Sequence, residues 1–468
     1  MDPLDLAYAG IAAQAELLRA GEVTPRELVD LYLERIDRID PRVNAFRVVY
    51  HERARAEADQ AAARLQAGDQ RPLLGVPVAI KDNVDMAGEV SMHGSHAFYQ
   101  PAAEDAEVVK RLRAAGAVIV GRTHMPELAI FPFTEGDAFG ATENPWKIGH
   151  SPGGSSGGSG AAVAAGLVGA AYASDGGGSI RLPAGCCGLF GLKTQRGRVS
   201  LMPAPEHWHG LSVAGCVTRR VIDTALWLDV VSGPADGDRD VAKPPERPFV
   251  ESARTPPGKL RIAVSMRPVA PPMKIAGVEK QAVAEMADTL RSLGHEVSDE
   301  SVSYGELRPQ FLTRWLRGIA DDADTAQQPD LLEKRTRQMA WAGRKIGPGA
   351  LARVRRGEGK HAARMNAIFD RFDVVMTPMF AHPANPTGKY DGKATVVTIL
   401  GAGNVASHTT PWNVTGQPAA SVPAGFTPDG LPLAVQLVGR PHDESTLISL
   451  AAQIEAERGW PDRRPPVD

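Results

Sequence analysis

Apolar residues recur at helical spacing in some stretches of the chain and collapse into short unbroken runs in others. Leu28, Leu31, Tyr32, Ile36 and Ile39 share one face of a helix over 24–39, opened by Thr24-Pro25-Arg26-Glu27 as a capping box with proline at the first helical position. An alanine- and charge-rich helix is predicted over 51–67, and Val76, Val78 and Ile80 mark a buried strand that ends in Lys81-Asp82-Asn83. Asp105 is placed to cap a helix running to about Ala115, with Gly116 closing it before the strand AVIVG at 117–121. Strand, helix, strand is the pattern of parallel pairing. It recurs in LRIAV at 260–264, a helix from Val278 to Leu293 ended by Gly294, and HEVSD after it. VVMTP at 374–378 and PLAVQLVG at 432–439 add strands, and Asp443 caps a last helix through about Glu457. The run over 160–173 is apolar, short and glycine-broken, which predicts a buried helix rather than a membrane span.

The polar Pro/Gly stretch 232–258 reads as a surface connection, either between domains or as an excursion from one sheet. Residues 305–370 are the most charged and helix-like, with Trp315 and Trp341 placed to anchor them. Across 468 residues, 43% hydrophobic and 23% charged content leave ample material for a core, and a net charge of −3 offers no global attraction for nucleic acid or anionic lipid. Three cysteines, Cys186, Cys187 and Cys216, are too few for a disulfide framework and point to a reducing compartment. With no basic leader pattern at the start and no run of roughly 20 apolar residues, a soluble, cytoplasmic protein is expected.

Candidate chemistry concentrates between His150 and Ser200. Two glycine-rich knots, PGGSSGG at 152–158 and DGGGS at 175–179, each carry serines. G-x-S-x-G occurs twice in overlap, on Ser155 and on Ser156, but the preceding ATENPWKIGHSP is not the strand that a nucleophile elbow follows. Gly153 and Gly158 have phosphate-loop spacing, yet Ser159 stands where the lysine belongs, and GAGNVA at 401–406 lacks the acidic partner of a dinucleotide fingerprint. No H-E-x-x-H or Cys/His ligand spacing occurs, so no metal or other cofactor is expected. What remains joins Lys81 after a buried strand, Ser155 in the first knot and Ser179 in the second.

In these motifs the chain resembles the amidase signature family, whose marks are a GGSSGG(S/G) loop and a D-x-GGS-[IV]-R loop. Gly153 to Ser159 matches the first and Asp175 to Arg181 the second. The likeness runs on through GVPVAIKDN at 75–83, GRTHMPELA at 121–129, GLKTQRGRVS at 191–200, FDVVMTP at 372–378 and WNVTGQPAASVPAG at 412–425. The resemblance implies a single α/β/α unit over 1–468, with one large mixed, mostly parallel sheet flanked by helices. Its core would cover about 60–235 and 370–460, and a helical, substrate-side excursion about 300–370.

The resemblance further implies that Ser179 is a nucleophile forming an acyl-enzyme, that Ser155 is a bridging serine preceded by a cis peptide, and that Lys81 is the base. A lysine can take a proton only when neutral, so its ordinary pKa of about 10.4 must fall, as burial would make it do. Backbone N–H groups of Gly176, Gly177, Gly178 and Ser179 would meet the oxyanion, while Asp175 and Arg181 would hold the loop as an ion pair. The implied function is hydrolysis of a small-molecule carboxamide to carboxylate and amine or ammonia, with no nucleic-acid or membrane partner; a homodimer is common among proteins of that family. Two other readings stay open. One is the glutaminase-like subunit of a tRNA-dependent amidotransferase, against which 333–370 lacks a tyrosine-rich helix; the other is a catalytically inactive binding protein on the same fold. Gly176, Thr194-Gln195, Cys216 and His124 depart from common family residues, and Gly176 is expected to loosen the nucleophile loop.

Overall fold

The capping box forms as the spacing predicts. Thr24 Oγ1 accepts the Glu27 N–H at 3.2 Å and Glu27 accepts the Thr24 N–H at 2.8 Å, opening the helix Pro25–Val43. Asp443 likewise accepts the Thr446 N–H and starts the helix Glu444–Arg458. Asp105 does not cap: it accepts the Ala87 N–H at 2.8 Å across the chain, and the helix Glu107–Ala114 begins without a side-chain cap. These features belong to a computed structural model that describes residues 1–269, 273–406 and 408–467.

Thirteen strands occur among the described residues. They are β1 (Phe46–Val49), β2 (Pro77–Lys81), β3 (Val118–Thr123), β4 (Glu135–Gly136), β5 (Gly140–Ala141), β6 (Ala170–Asp175) and β7 (Phe190–Lys193). The remainder are β8 (Val213–Thr218), β9 (Arg261–Val264), β10 (Glu296–Asp299), β11 (Val374–Pro378), β12 (Ala419–Phe426) and β13 (Pro432–Val438). All but the β4–β5 hairpin join one 11-stranded sheet in the order β1-β3-β2-β6-β8-β7-β12-β13-β11-β9-β10.

The sheet is mixed, but its parallel share is smaller than the βαβ pattern suggested. Pairing is parallel in β3-β2-β6 and in β11-β9-β10, and antiparallel from β6 through β8, β7, β12 and β13 to β11 and at the β1 edge. Strands before and after 232–258, β8 and β9, lie in the same sheet, so that stretch is an excursion; within it the helix Phe249–Arg254 buries Phe249 against the core.

The run over 160–173 is not one helix. It divides into the helix Gly157–Ala164 and strand β6, turning at Gly166 with φ +63°. Alanine and valine buried on every side have no periodicity to reveal where one element stops and the next begins. Helices Arg308–Asp324, Lys334–Arg344 and Pro348–Asn366 fill the expected helical excursion. Trp315 is buried there, but Trp341 is 63% exposed, because the helix that carries it buries Thr336, Met339, Ala340 and Gly343 instead. GAGNVA lies within and just after the helix Thr395–Val405 and forms no phosphate loop. No described helix is long and apolar enough to cross a membrane.

Candidate active site

Strands β2 and β6 run parallel as neighbours, Ala79 facing Ala171, so their carboxyl ends deliver Lys81 and Ser174-Asp175 to the same edge of the sheet. The first glycine knot is sewn across those ends. Gly157 N–H donates to Thr134 Oγ1, which donates to the Gly153 carbonyl, and Gly158 N–H donates to the His124 carbonyl. Ser156 Oγ donates to the Ser174 carbonyl and accepts the Ser174 N–H, both at 3.3 Å. Gly158 is required to be glycine: an added Cβ would lie 2.5 Å from His124 N and 2.6 Å from the Ala45 carbonyl oxygen. The peptide bond between Gly154 and Ser155 is cis.

This stitching places Ser155, 1% exposed, against Lys81, which is fully buried. Lys81 Nζ donates to Ser155 Oγ at 2.8 Å and to Ser174 Oγ at 3.1 Å. Burial pushes the Lys81 ammonium down to about 7, with the Asp175 carboxylate opposing the shift. A second lysine, Lys193, is also fully buried and pushed well below its ordinary value, but its Nζ donates to the Thr194 carbonyl and reaches neither serine.

The second knot is held from behind by an ion pair. Arg181 meets Asp175 through Nε and Nη2, both at 2.9 Å, with both side chains fully buried. Arg181 also donates to Gln436 Oε1, Asn413 Oδ1 and the Thr409 carbonyl, and Asn413 Nδ2 returns to Asp175. Burial alone would raise the Asp175 carboxyl, yet Arg181, Lys193 and Asn413 together outweigh it and hold the group down to about 2.

Asp175 also accepts the Gly178 N–H at 2.7 Å and the Ile180 N–H at 3.2 Å. The expectation that Gly178 donates to an oxyanion is therefore corrected, since its N–H is committed to the carboxylate that shapes the loop. The amides of Gly176, Gly177 and Ser179 donate no hydrogen bond among the described residues. Ser179 is partly exposed, and its Oγ carries no hydrogen bond among the described residues. It faces a cavity of about 770 Å³ whose walls include Phe131, Leu182, Trp208, Phe311 and Trp315. Lys81 and Ser155 are thus joined, while no described hydrogen bond links Ser155 to Ser179.

Residues 27–448 match the family described as Amidase. The chain belongs to the amidase signature family. It is an amidase, and two relatives match it over all or nearly all of their length. “Putative amidase AmiB2” of Mycobacterium tuberculosis is 51% identical over 469 residues, covering 100% of each chain. The 6-aminohexanoate-cyclic-dimer hydrolase of a Pseudomonas species is 33% identical, covering 99% of the amidase and 98% of the relative. A solved structure of 6-aminohexanoate cyclic dimer hydrolase superposes with a TM-score of 0.92 at 32% identity, covering 98% and 99% of the two chains. A bacterial aryl acylamidase of 23% identity and TM-score 0.86, covering 96% of each chain, shares the fold.

Several residues around the amidase's serines were not singled out in sequence. Ser174 directly precedes Asp175 and forms the second contact of Lys81, but nothing in its spacing marks it. Asn413 and Gln436 lie in the stretches WNVTGQPAASVPAG and PLAVQLVG, more than 230 residues from Asp175 and Arg181 by sequence separations of 238 and 255. The Trp208 ring fills the space that a side chain at Gly176 would take, so the missing side chain leaves no gap there. Removing one partner of the buried pair, as in Asp175→Asn, leaves Arg181 under-compensated. It should destabilise the amidase by about 3–5 kcal/mol in urea unfolding. Activity should fall along with it, because an amide has one accepting oxygen where the carboxylate has two, and the loop loses its anchor at Gly178 or at Ile180.

Proposed function

We propose that the amidase hydrolyses neutral, apolar carboxamides through an acyl-enzyme on Ser179. The observation that carries this reading is the 2.8 Å contact between Ser155 Oγ and a buried Lys81 whose pKa lies near 7, beside a cavity that Ser179 lines. A serine hydroxyl attacks a carbonyl only when a neighbour removes its proton. Neutral Lys81 accepts the proton of Ser155 as Ser155 takes that of Ser179, and Ser179 Oγ bonds to the carbonyl carbon. The negative charge that develops on the carbonyl oxygen meets the amides of Gly176, Gly177 and Ser179, donors of a kind typically worth about 3–4 kcal/mol each. Collapse breaks the carbon–nitrogen bond while the proton returns from Lys81 through Ser155 to the departing nitrogen. Water then attacks the ester and gives one proton to the same relay, which returns it to Ser179 Oγ as the acyl–oxygen bond breaks; the carboxylic acid that leaves loses its remaining proton to solvent.

The walls are mostly apolar, with Lys274, Arg308, Asn404 and Thr410 among them, and favour aliphatic, aryl or cyclic amides. The name of the cyclic-dimer hydrolase, similar over nearly the whole chain, supports placing cyclic and linear aliphatic amides first in a panel. The test is a fluorophosphonate probe followed by peptide mass mapping, together with turnover of that panel. Label on Ser179 and hydrolysis of apolar amides are expected. Label elsewhere, or turnover confined to glutamine, would overturn the proposal.

A further inference from the structure

Trp208 occupies a slot that the chain has built for one side chain. A Cβ at Gly176 would lie 2.6 Å from Trp208 Cε3 and 2.8 Å from Cζ3, at the six-membered ring. A Cβ at Gly318, on the helix Arg308–Asp324, would collide with Trp208 Cδ1 and approach Cγ to 2.8 Å, at the five-membered ring. The indole is thus pinned between the nucleophile loop and the helical excursion by two residues without side chains. Its Nε1–H donates to Asp322 at 2.8 Å, and the neighbouring His207 ring stacks on it at 5.2 Å and bonds the same carboxylate at 3.0 Å. Trp208 and His209 both adopt positive φ, +47° and +53°, a left-handed conformation uncommon for bulky residues and retained where the surroundings over-determine it.

One side of this fixed ring lines the cavity that contains Ser179. His207 and Asp322, which hold the ring, also line a second cavity of about 210 Å³, together with Ser174, Val108, Met125 and Leu201. We infer that Trp208 is a specificity-determining wall, a clamped ring that limits the bulk a substrate can carry beside its scissile carbonyl. The inference rests on the reading of the larger cavity as the substrate site. Glycine at 176 is then a paired choice: a branched residue there would displace the ring, and Trp208 supplies in its place a larger wall from a distant segment.

Trp208→Ala removes the wall and enlarges the substrate cavity. The experiment compares kcat/KM for p-nitroanilides of acetate and of branched or aryl acids, and for a matched series of amides with small and branched amines. In Trp208→Ala the ratio of bulky to small substrate should rise roughly ten-fold or more in one of the two series, the scale on which apolar pockets discriminate size. The series that shifts identifies the side of the amide facing Trp208. Trp208→Phe, which keeps most of the ring but loses the Asp322 bond, should stay within about three-fold of the original ratio. Trp208→Leu serves the same comparison if the alanine variant does not fold.

A general loss of stability lowers both substrates together and leaves the ratio unmoved. An unchanged ratio in both series, in a folded variant, would overturn the inference. Fluorophosphonate labelling of each variant keeps the two ideas apart. Label on Ser179 with unshifted ratios defeats the wall alone, whereas absence of label on Ser179 in the unaltered enzyme defeats the nucleophile assignment.

Discussion

Ser179→Ala should yield a folded protein whose kcat/KM is lower by roughly 10⁵-fold or more, the scale on which loss of a nucleophile collapses a cooperating relay. The structure makes this a clean substitution. Ser179 Oγ carries no described hydrogen bond and faces the cavity, so its removal orphans no buried partner. Unfolding free energy should change by less than about 0.5 kcal/mol, as for substitutions away from packed or bonded groups. Activity and stability are thereby uncoupled, which separates a chemical role from a structural one.

Ser155→Ala offers the contrast. It deletes the acceptor of a fully buried Lys81 and should lower both activity and stability. The double variant should be little slower than Ser179→Ala, because residues that act as one unit are not additive. If Ser179→Ala kept more than about a hundredth of the activity, the nucleophile would lie elsewhere. Ser156 is poorly placed for that, since its hydroxyl is occupied on both sides by the Ser174 backbone.

Legibility in the sequence followed the range of the interactions. The capping box at Thr24, the strand ending in Lys81 and the final helix depend on neighbours a few residues away, and their patterns state them directly. Strands β6, β7, β8 and β12 were not visible. They read AAYASD, FGLK, VAGCVT and AASVPAGF, rich in alanine and glycine rather than β-branched residues, and nearly all of their positions are buried. Strands covered on both faces carry no alternation, and small residues there let the glycine knots pack directly against the sheet. Those four strands are also where antiparallel pairing dominates, which is why the parallel share was overestimated.

In the site, motif order pointed to Lys81, Ser155 and Ser179, separated by 74 positions between the first two. Motifs do not say which amide is already engaged. The commitment of Gly178 to Asp175, the second contact of Lys81 through Ser174, and the fit of Trp208 over Gly176 arise between segments that only the folded chain brings together.

Lys81→Met should abolish most activity and stabilise the protein, and the two effects should depend on pH in different ways. Only neutral Lys81 can take the proton, so kcat/KM of the unaltered amidase should fall on the acid side with an apparent pKa near 7. In the variant that limb should be absent and the plateau lower by roughly 10³-fold, within the range of general-base contributions. The stability change has the opposite sense. In the unfolded chain the lysine holds its proton up to about 10.4, whereas in the fold it holds it only below about 7.

Between those values the unfolded state binds the extra proton, so stability of the unaltered protein rises with pH across the window and the full penalty is present below it. Replacing Lys81 by an apolar side chain of similar length removes that penalty. It also leaves Ser155 Oγ without its donor and Ser174 Oγ with only the longer bond from Asn83 Nδ2 at 3.4 Å, which offsets about 1 kcal/mol for each. A net gain on the order of 2 kcal/mol at pH 7 is expected, shrinking and then reversing toward pH 10 in a series of urea titrations. A gain independent of pH would mean that burial of this lysine is not what lowers its pKa. An acid limb that persisted in the variant would assign the titration to another group, with buried Lys193 the first to test.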